Sequence, residues 1–260
     1  MLIDTHCHLD AVEFDSDRDE VHAGAVAAGV EMIVVPAIEV REFAKTRDAV
    51  ARHAGCFAAY GIHPLYVMQA DDGDPAILRQ WLERERPVAV GEIGIDLYVS
   101  DIDPQRQEFF FVEQLKLARE FDLPVLLHVR RAVDPILKLL RRFRVRGGIA
   151  HAFNGSRQQA VEFIKLGFAL GFGGAMTFSG STRIRTLAAE LPLESIVLET
   201  DAPDIPPAWL DGGRNEPAQL PAIAAALAEL RAMPIDQVAT ITSANAFRVL
   251  PGLCPHNFCG

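Results

Sequence analysis

The sequence predicts an α/β protein that folds as a single (β/α)8 barrel, the TIM-barrel architecture, over residues 1–260. Short apolar segments typical of buried parallel strands alternate with longer amphipathic segments, as in strand–helix repeats. A length of 260 residues suits one barrel, because such barrels run to about 250 residues without dividing into domains. The alternative is a doubly wound open sheet, but no glycine-rich dinucleotide motif follows the first predicted strand.

Eight strands are predicted from the apolar runs. The first begins at Leu2 and ends near His8, where polar residues take over. The other seven are short runs of apolar residues that lead into polar residues or glycines. They cover residues 32–35, 57–60, 88–90, 124–127, 149–150, 168–172 and 196–198.

The segments between these strands predict helices, and two further helices close the chain. Gly29 and Gly55 lie where the first two helices should end, and glycine commonly terminates a helix. Asp74-Pro75, Asp103-Pro104 and Asp134-Pro135 are typical helix starts, with an aspartate cap and a proline in the first turn. The predicted helices cover residues 17–28, 40–53, 74–85, 104–121, 134–144, 157–166, 181–191, 217–231 and 235–249, and residues 204–214 form a loop.

Composition and charge narrow the class of protein. A formal net charge of −10 argues against a broad basic surface that coats nucleic acid, although a local anion site remains compatible with it. No apolar run approaches the roughly 18 residues of a membrane span, and no signal peptide is visible. Four cysteines without paired CxxC spacing suit a reduced, cytoplasmic protein, and no membrane or obligate protein partner is indicated.

Two segments have compositions that suggest binding sites, but we expect both to be ordinary structural features. Residues 141–146 are rich in arginine, but they end the helix before the sixth strand and should lie at the opposite end of the barrel from the strand carboxyl ends. Positive charge suits a helix carboxyl terminus, so we expect a solvated helix end there. Residues 254–259 carry two cysteines and a histidine, and we expect a loose tail rather than a second metal site.

Side chains that bind metals lie at the ends of predicted strands. His6 and His8 are two residues apart, so in a strand both face one side and could hold one ion, with Asp4 on the same face to orient a ligand. Two surface histidines spaced by one residue are the alternative for this motif alone. The other strand ends supply Glu92 after the fourth strand, His128 after the fifth, His151 after the sixth and Asp201 after the eighth.

These six side chains should converge, because the carboxyl ends of barrel strands meet at the face where active sites of such barrels lie. A single histidine after a strand is more often a hydrogen-bonded loop or core residue, but six such positions together favour a metal centre. Six ligands exceed the three of a typical catalytic zinc and suit two ions about 3.5–4 Å apart. Glu92, on a middle strand, is the natural bridge, and Asp201 could orient or deprotonate a metal-activated water.

Seven motifs occur in order between residues 4 and 217. They are Asp4-Thr5-His6-Cys7-His8-Leu9-Asp10, Gly61-Ile62-His63-Pro64, Gly91-Glu92-Ile93-Gly94-Ile95-Asp96, His128-Val129-Arg130, His151-Ala152-Phe153-Asn154-Gly155-Ser156, Glu199-Thr200-Asp201-Ala202-Pro203 and Arg214-Asn215-Glu216-Pro217. With this order and spacing the chain resembles the TatD-like metal-dependent hydrolases, DNases of the amidohydrolase-like barrel superfamily. Each motif is weak alone, but the set covers nearly the whole chain and is specific.

This resemblance implies a first metal ion held by His6, His8, Glu92 and Asp201 and a second held by Glu92, His128 and His151. It implies Mg²⁺ as the cofactor, with Zn²⁺, Mn²⁺ or Ni²⁺ as alternatives, and hydrolysis of phosphodiester bonds at single-stranded or frayed DNA ends. Glu92 and Asp201 are then the catalytic residues. The resemblance also implies that His63 and Arg130 bind substrate phosphate, which fits donor and cationic groups at that face.

Two positions depart from the family pattern. Asp204-Ile205-Pro206-Pro207 stands where many relatives carry a Tyr-Leu segment, and Arg131 stands where an acidic residue is common. Both lie near the predicted mouth of the site, so they bear on the choice of substrate.

Two other functions remain open from the sequence. A binuclear barrel enzyme could act on a small amide, lactone or phosphoester, but many of those use a carboxylated lysine where this chain has Glu92. The other alternative is a non-catalytic metal-binding or quality-control adaptor, against which the complete set of ligands argues. A metal-dependent nuclease assay separates the three functions.

Overall fold

The computed structural model describes residues 1–253, which contain one eight-stranded parallel sheet. The strands are β1 (Leu2–Asp4), β2 (Val30–Pro36), β3 (Cys56–Tyr60), β4 (Ala89–Asp96), β5 (Val125–Arg130), β6 (Gly148–Ala150), β7 (Phe168–Phe172) and β8 (Ile196–Leu198). Each strand pairs in parallel with the next along the chain. Between β1 and β8, the backbone N–H and hydroxyl of Thr5 donate to the carbonyl of Leu198, at 3.1 and 3.0 Å. The barrel is therefore nearly closed, which confirms the predicted fold class.

Helices cover the outside of this barrel and alternate with the strands. Their bounds agree with the prediction to within a few residues. The clearest difference is that a 3₁₀ turn, Pro217–Gln219, precedes the eighth helix. The helices are α1 (Arg18–Ala27), α2 (Phe43–Arg52), α3 (Asp74–Glu85), α4 (Pro104–Glu120), α5 (Val133–Arg142), α6 (Arg157–Lys165), α7 (Thr182–Glu190), α8 (Leu220–Arg231) and α9 (Ile235–Val249).

The interior of the barrel is filled by one apolar side chain from each strand. This layer consists of Ile3, Val34, Ala59, Ala89, Leu126, Ile149, Ala169 and Val197. Helix α9 packs against it at the amino-terminal end, where Ser243 donates to the Met1 carbonyl at 3.2 Å and Asn245 donates to the Ile196 carbonyl at 2.8 Å. Because α9 closes that end, polar side chains gather at the opposite, carboxyl-terminal end.

Three strand boundaries differ from the prediction in ways that shape this end. Strand β1 ends at Asp4 rather than near His8, because the Thr5 amide bonds to β8 while the Cys7 amide bonds to the Val34 carbonyl of β2. Strands β4 and β5 instead continue to residues 96 and 130, beyond their predicted ends. Their pairing continues because Gly94 has no side chain: a Cβ there would lie 2.0 Å from the His128 carbonyl oxygen.

The arginine-rich segment, residues 141–146, lies at the end of a helix. Helix α5 ends at Arg142, and Arg141 and Arg146 form ion pairs with Glu162 and Asp122, at 2.8 and 2.9 Å. The arginine-rich segment is thus the solvated helix end that we expected, before the amino end of β6. The predicted tail, residues 254–259, lies outside the described residues. Within residues 1–253, no helix is long and apolar enough to cross a membrane.

Two buried glutamines of α4 complete the backbone hydrogen bonding of neighbouring strands. Gln114 accepts from the Ile62 amide at 2.6 Å and donates to the Ile62 carbonyl at 3.0 Å, just after β3. Gln107 forms the same pair of bonds with Asp96 at the end of β4, at 2.7 and 2.9 Å. Each side-chain amide provides the two bonds that an adjacent strand would provide, which fixes α4 against the end of the barrel that carries the site.

Replacing Gln114 with leucine should therefore destabilise the barrel. The change leaves a buried N–H and a buried carbonyl without partners, and each such group costs about 1–3 kcal/mol. We expect the free energy of unfolding in urea to fall by about 2–4 kcal/mol. The control is Gln105→Leu, the same change at an exposed position of α4. Equal stability of the two variants would contradict this role of Gln114.

Candidate metal centre

All the side chains predicted to form the site meet at the carboxyl-terminal end of the barrel. They surround the base of a cavity of about 1370 Å³. The imidazoles come from the loops after β1, β3 and β6 and from β5, and the carboxylates come from β4 and the loop after β8. The cavity is lined by His8, His63, Glu92, His128, Arg130, His151 and Asp201, with the buried His6 directly beneath.

Glu92 is the centre of this cluster and is 1% exposed. One carboxylate oxygen, Oε2, faces the histidines after β1, at 3.0 Å from His6 Nε2 and 3.5 Å from His8 Nε2. The other, Oε1, faces histidines from β5 and after β6, at 2.9 Å from His128 Nδ1 and 2.8 Å from His151 Nε2. The two oxygens therefore face two different sets of ligand atoms, as a bridging carboxylate would.

Asp201 completes the set on the β1 side. Its Oδ1 lies 3.5 Å from His6 Nε2 and 3.8 Å from His8 Nε2, and these two nitrogens are 3.3 Å apart. On the other side lies His63, which was predicted only to bind substrate. It lies beside the central carboxylate, with its Nε2 3.3 Å from Glu92 Oε1. Three overlapping groups of ligand atoms result, namely His6 with His8 and Asp201, His6 with Glu92 and His151, and His63 with Glu92 and His128.

The donor atoms fit metal ions better than they fit each other. His6 Nε2 lies within 3.5 Å of His8 Nε2, Glu92 Oε2 and Asp201 Oδ1, and a single ring proton cannot serve all three. Among the described residues, the buried Nδ1 atoms of His6 and His151 also lack hydrogen-bond partners. Imidazole and carboxylate atoms in this number and spacing are the chemistry of a divalent metal site.

Burial and the neighbouring charges determine which groups of the cluster are protonated. Burial lowers the pKa of His6 to about 3 and that of His63 to about 4. Burial also disfavours charge on His151, but the charges of Glu92 and Asp201 outweigh it and raise the His151 pKa to about 10. For Glu92, burial is likewise outweighed, here by the surrounding imidazoles, so its pKa lies well below the usual range. The central carboxylate is therefore held in its charged form.

Two acidic residues stand behind the histidines and were quoted in the sequence motifs without a predicted role. Asp96 Oδ2 lies 2.9 Å from His128 Nε2, the ring nitrogen that faces away from Glu92. Glu199 is 1% exposed, and its Oε1 lies 3.9 Å from His151 Nδ1 while its Oε2 has no partner among the described residues. Asp96 is placed to orient His128 and raise its basicity. Glu199 acts on His151 through its charge, which raises the His151 pKa, rather than through a hydrogen bond.

The two-residue period of a strand would have identified Asp96. It lies four residues after Glu92 on the same strand face, so it would have been found had β4 been predicted to its full length. Glu199 lies two residues before Asp201 but beyond the end of β8, so the strand period does not apply to it. Asp4 has a different role from the one expected: it accepts from the His6 amide at 3.3 Å and from the Thr200 amide and hydroxyl at 3.0 and 2.6 Å. It fixes the backbone beside the histidines rather than a ring.

Cationic side chains lie at the mouth of the cavity. Arg130 is half exposed, with Nη1 4.0 Å from Asp96 Oδ2. Arg131, which departs from the family pattern, lines the mouth next to it. Asp204 and Ile205, from the other segment that departs from the pattern, also line the cavity. Both departures therefore lie where a substrate would pass.

Comparison with known proteins agrees with these features. A family model described as TatD related DNase matches residues 3–251. The chain is 42% identical over 249 residues to the uncharacterized metal-dependent hydrolase YjjV of Escherichia coli (strain K12), covering 95% of this chain and 96% of that protein. It is 34% identical over 255 residues to the 3′-5′ ssDNA/RNA exonuclease TatD of Cronobacter sakazakii, covering 95% and 97%.

A solved structure shows the same architecture. The crystal structure of YjjV, a TatD homologue from Escherichia coli K12, superposes with a TM-score of 0.93 at 40% identity and covers 98% of both chains. The chain therefore belongs to the TatD-related DNase family and is a metal-dependent hydrolase.

Proposed function

We propose that this hydrolase cleaves phosphodiester bonds and removes nucleotides from the ends of single-stranded or frayed DNA. The observation that carries the proposal is the position of Glu92, whose two oxygens face separate sets of imidazoles. Two ions held on either side of one carboxylate suit the displacement of one phosphate oxygen by another. The Cronobacter sakazakii relative, named a 3′-5′ ssDNA/RNA exonuclease, supports a nucleic-acid substrate.

The proposed ligands divide between two ions, with Mg²⁺ as the first candidate and Zn²⁺, Mn²⁺ or Ni²⁺ as alternatives. When bound, such ions polarise a phosphoryl oxygen and make a neighbouring water more acidic. Glu92 would be shared between them. The first ion would be held by His6, His8, Glu92 and Asp201, and the second by Glu92, His128 and His151.

The remaining chemistry belongs to side chains of the chain itself. Asp201 keeps 12% of its side chain exposed to the cavity, so it can both contact a ligand and accept a proton from an attacking water. His63 lies beside Glu92 at the cavity base and would donate to a phosphate oxygen. Arg130 at the mouth would bind phosphate through its guanidinium.

A nuclease assay tests this proposal against the two alternatives. Protein stripped of metal is supplied with each divalent ion in turn and given end-labelled single-stranded DNA. In parallel it receives a panel of small amides, lactones and phosphoesters. Stepwise loss of nucleotides from one end supports the proposal. Turnover of a small substrate without DNA cleavage supports the amidohydrolase-type alternative, and metal binding without any turnover supports the adaptor.

Replacing Glu92 with glutamine should weaken both ions and abolish turnover, because a neutral amide bridges two cations poorly. Metal content after equilibrium dialysis, measured by elemental analysis, should drop along with DNA cleavage. The control is Glu194→Gln, which removes the same charge at an exposed position before β8. Normal metal content and activity in the Glu92 variant would eliminate the binuclear model.

Replacing Asp201 with asparagine should reduce turnover far more than stability. Its backbone has a positive φ of 59°, which asparagine adopts readily, and loss of its charge opens no cavity in the core. A residue that orients or deprotonates water typically contributes about 10²–10⁴ in rate. The rate is measured on single-stranded DNA, with Asp211→Asn as the control, because Asp211 is an exposed aspartate that also has a positive φ, of 46°, and does not line the cavity. A folded Asp201 variant with near-normal kcat would contradict the role.

Replacing Glu199 with glutamine should weaken metal binding without unfolding the protein. Residues that support a ligating histidine typically contribute about 10–100-fold in metal affinity. Because Glu199 lies 3.9 Å from Nδ1 of His151, which is a proposed ligand of the second ion only, we expect one of the two binding steps to weaken and the other to persist. Titration calorimetry with the metal-free protein measures both steps, again with Glu194→Gln as the control. Unchanged affinity at both steps would assign Glu199 no part in the site.

A further inference from the structure

Tyr98 lies at the mouth of the cavity and contacts two arginine guanidinium groups. The ring is on the loop that follows β4 and is 50% exposed. The guanidinium carbon of Arg130 lies 3.8 Å from the ring centroid, and that of Arg131 lies 4.6 Å from it. Both distances are within the range of cation–π attraction, so one aromatic ring contacts two positive charges.

The backbone makes this arrangement possible. Consecutive residues of a strand point to opposite faces, so Arg130 and Arg131 would diverge if β5 continued. Strand β5 ends at Arg130, and Arg131 adopts a positive φ of 55°, a conformation that costs an ordinary residue about 1–2 kcal/mol. The turn brings both side chains to the same ring. The positive φ of Arg131 therefore lets both cations contact one ring, at a local cost in backbone energy.

The tyrosine is fixed relative to the metal centre through Asp96. Asp96 Oδ1 accepts from the amides of Tyr98 and Val99, at 2.8 and 3.1 Å, while Oδ2 contacts His128 at 2.9 Å. The same carboxylate therefore positions a proposed metal ligand and the loop that carries Tyr98. The backbone of the loop that carries Tyr98 is thus linked to the metal centre through one buried carboxylate.

These cations are poorly neutralised by the protein. In residues 1–253, the ion pair of Arg130 is a 4.0 Å contact with Asp96, and Arg131 has no carboxylate within 4.0 Å. The opposite wall of the cavity, from the loops after β1 and β2, is acidic. Its acidic residues are Asp10, Glu13, Glu39 and Glu42, and its lysine, Lys45, is paired with Asp15 at 3.3 Å. An anion longer than one phosphate would thus extend along the arginine side.

We propose that Tyr98, Arg130 and Arg131 form a second phosphate subsite, the phosphate clamp, for the phosphate next to the one that is cleaved. The inference rests on the proposed phosphodiesterase function and adds to it a preference for strands that carry at least two phosphates. The arginines donate charge-assisted hydrogen bonds to phosphate oxygens, and Tyr98 is the positioning residue that keeps them together. Arg131 extends a one-phosphate site into a two-phosphate site.

The test compares substrates that differ by one phosphate. They are the thymidine dinucleotide with a single internal phosphodiester and the same dinucleotide with an added 5′- or 3′-terminal phosphate. The wild-type protein should cleave one of the two phosphorylated forms with a kcat/KM about 5–20-fold above that of the unphosphorylated form, as expected for an exposed charge-assisted contact. Arg131→Gln should remove this preference. Arg144→Gln, an exposed arginine beyond α5 at the other end of the barrel, should keep it.

Two variants of Tyr98 separate its positioning role from a general effect on folding. Tyr98→Phe retains the ring face and should keep the preference for the added phosphate, because cation–π attraction does not need the hydroxyl. Tyr98→Leu fills similar space without a ring quadrupole and should lose the preference. A preference retained by Tyr98→Leu, or lost equally by Tyr98→Phe, overturns the role of Tyr98.

Binding provides a readout that does not depend on turnover. For a strand held by two or three phosphates, log Kd should vary with log salt with a slope of magnitude about 1.5–2, and Arg131→Gln should reduce that magnitude by about 0.7. The measurement is made in an Asp201→Asn background, which suppresses cleavage, with a short single-stranded oligonucleotide at fixed divalent concentration. If the wild type cleaves no dinucleotide and no DNA with any metal, the proposed function fails. If it cleaves DNA but neither the preference nor the slope changes in Arg131→Gln, the phosphate clamp alone fails.

Discussion

A carboxylate buried among imidazoles is the interaction on which the architecture of this site depends. Removal from water penalises the charged form of Glu92, and only the neighbouring rings offset that penalty. Those rings come from widely separated parts of the chain, so they meet only if the barrel is nearly closed. Closure is provided by β1 and β8 through Thr5, directly beneath the cluster. The contributing rings are His6, His8, His63, His128 and His151.

The two ends of the barrel differ in the side chains that they hold: apolar side chains are covered at one end, and polar side chains are positioned at the other. At the amino-terminal end, α9 covers the apolar layer, and Asn245 pairs the carbonyls of Leu193 and Ile196 that would otherwise be buried without donors. At the carboxyl-terminal end, Gln107 and Gln114 pair the backbone of residues just below the cavity. Rigid backbone on both sides means that ligand atoms are positioned before any ion binds, which limits the conformational entropy lost on binding.

The sequence predicted the fold and the six proposed metal ligands because both follow from local patterns. Apolar runs of strand length placed Glu92 and Asp201 at strand ends, and the barrel geometry then required them to meet. The sequence did not predict that β4 and β5 extend this far. Glycine has a low propensity for strands, so Gly94 suggests a strand end. In the structure it is the residue that allows His128 to approach. The roles of Gln107, Gln114 and Tyr98 depend on tertiary contacts that no periodicity contains.

Net charge is a poor guide to what this cavity binds. At physiological ionic strength the Debye length is about 8 Å, so an anion at the mouth responds mainly to groups within that distance. Part of the acidic excess, which totals −10, is buried at the site itself, in residues such as Glu92, Asp96 and Glu199, and solvent screens the exposed carboxylates. In the proposed phosphate clamp, Arg130 and Arg131 would act on a phosphate at short range, within this screening distance. The acidic wall opposite them repels a phosphate chain that enters from that side. A long duplex would meet both walls and the acidic surface beyond, whereas a strand end could reach the cavity along the arginine side alone. This charge distribution supports the proposal that the substrates are chain ends rather than long duplexes.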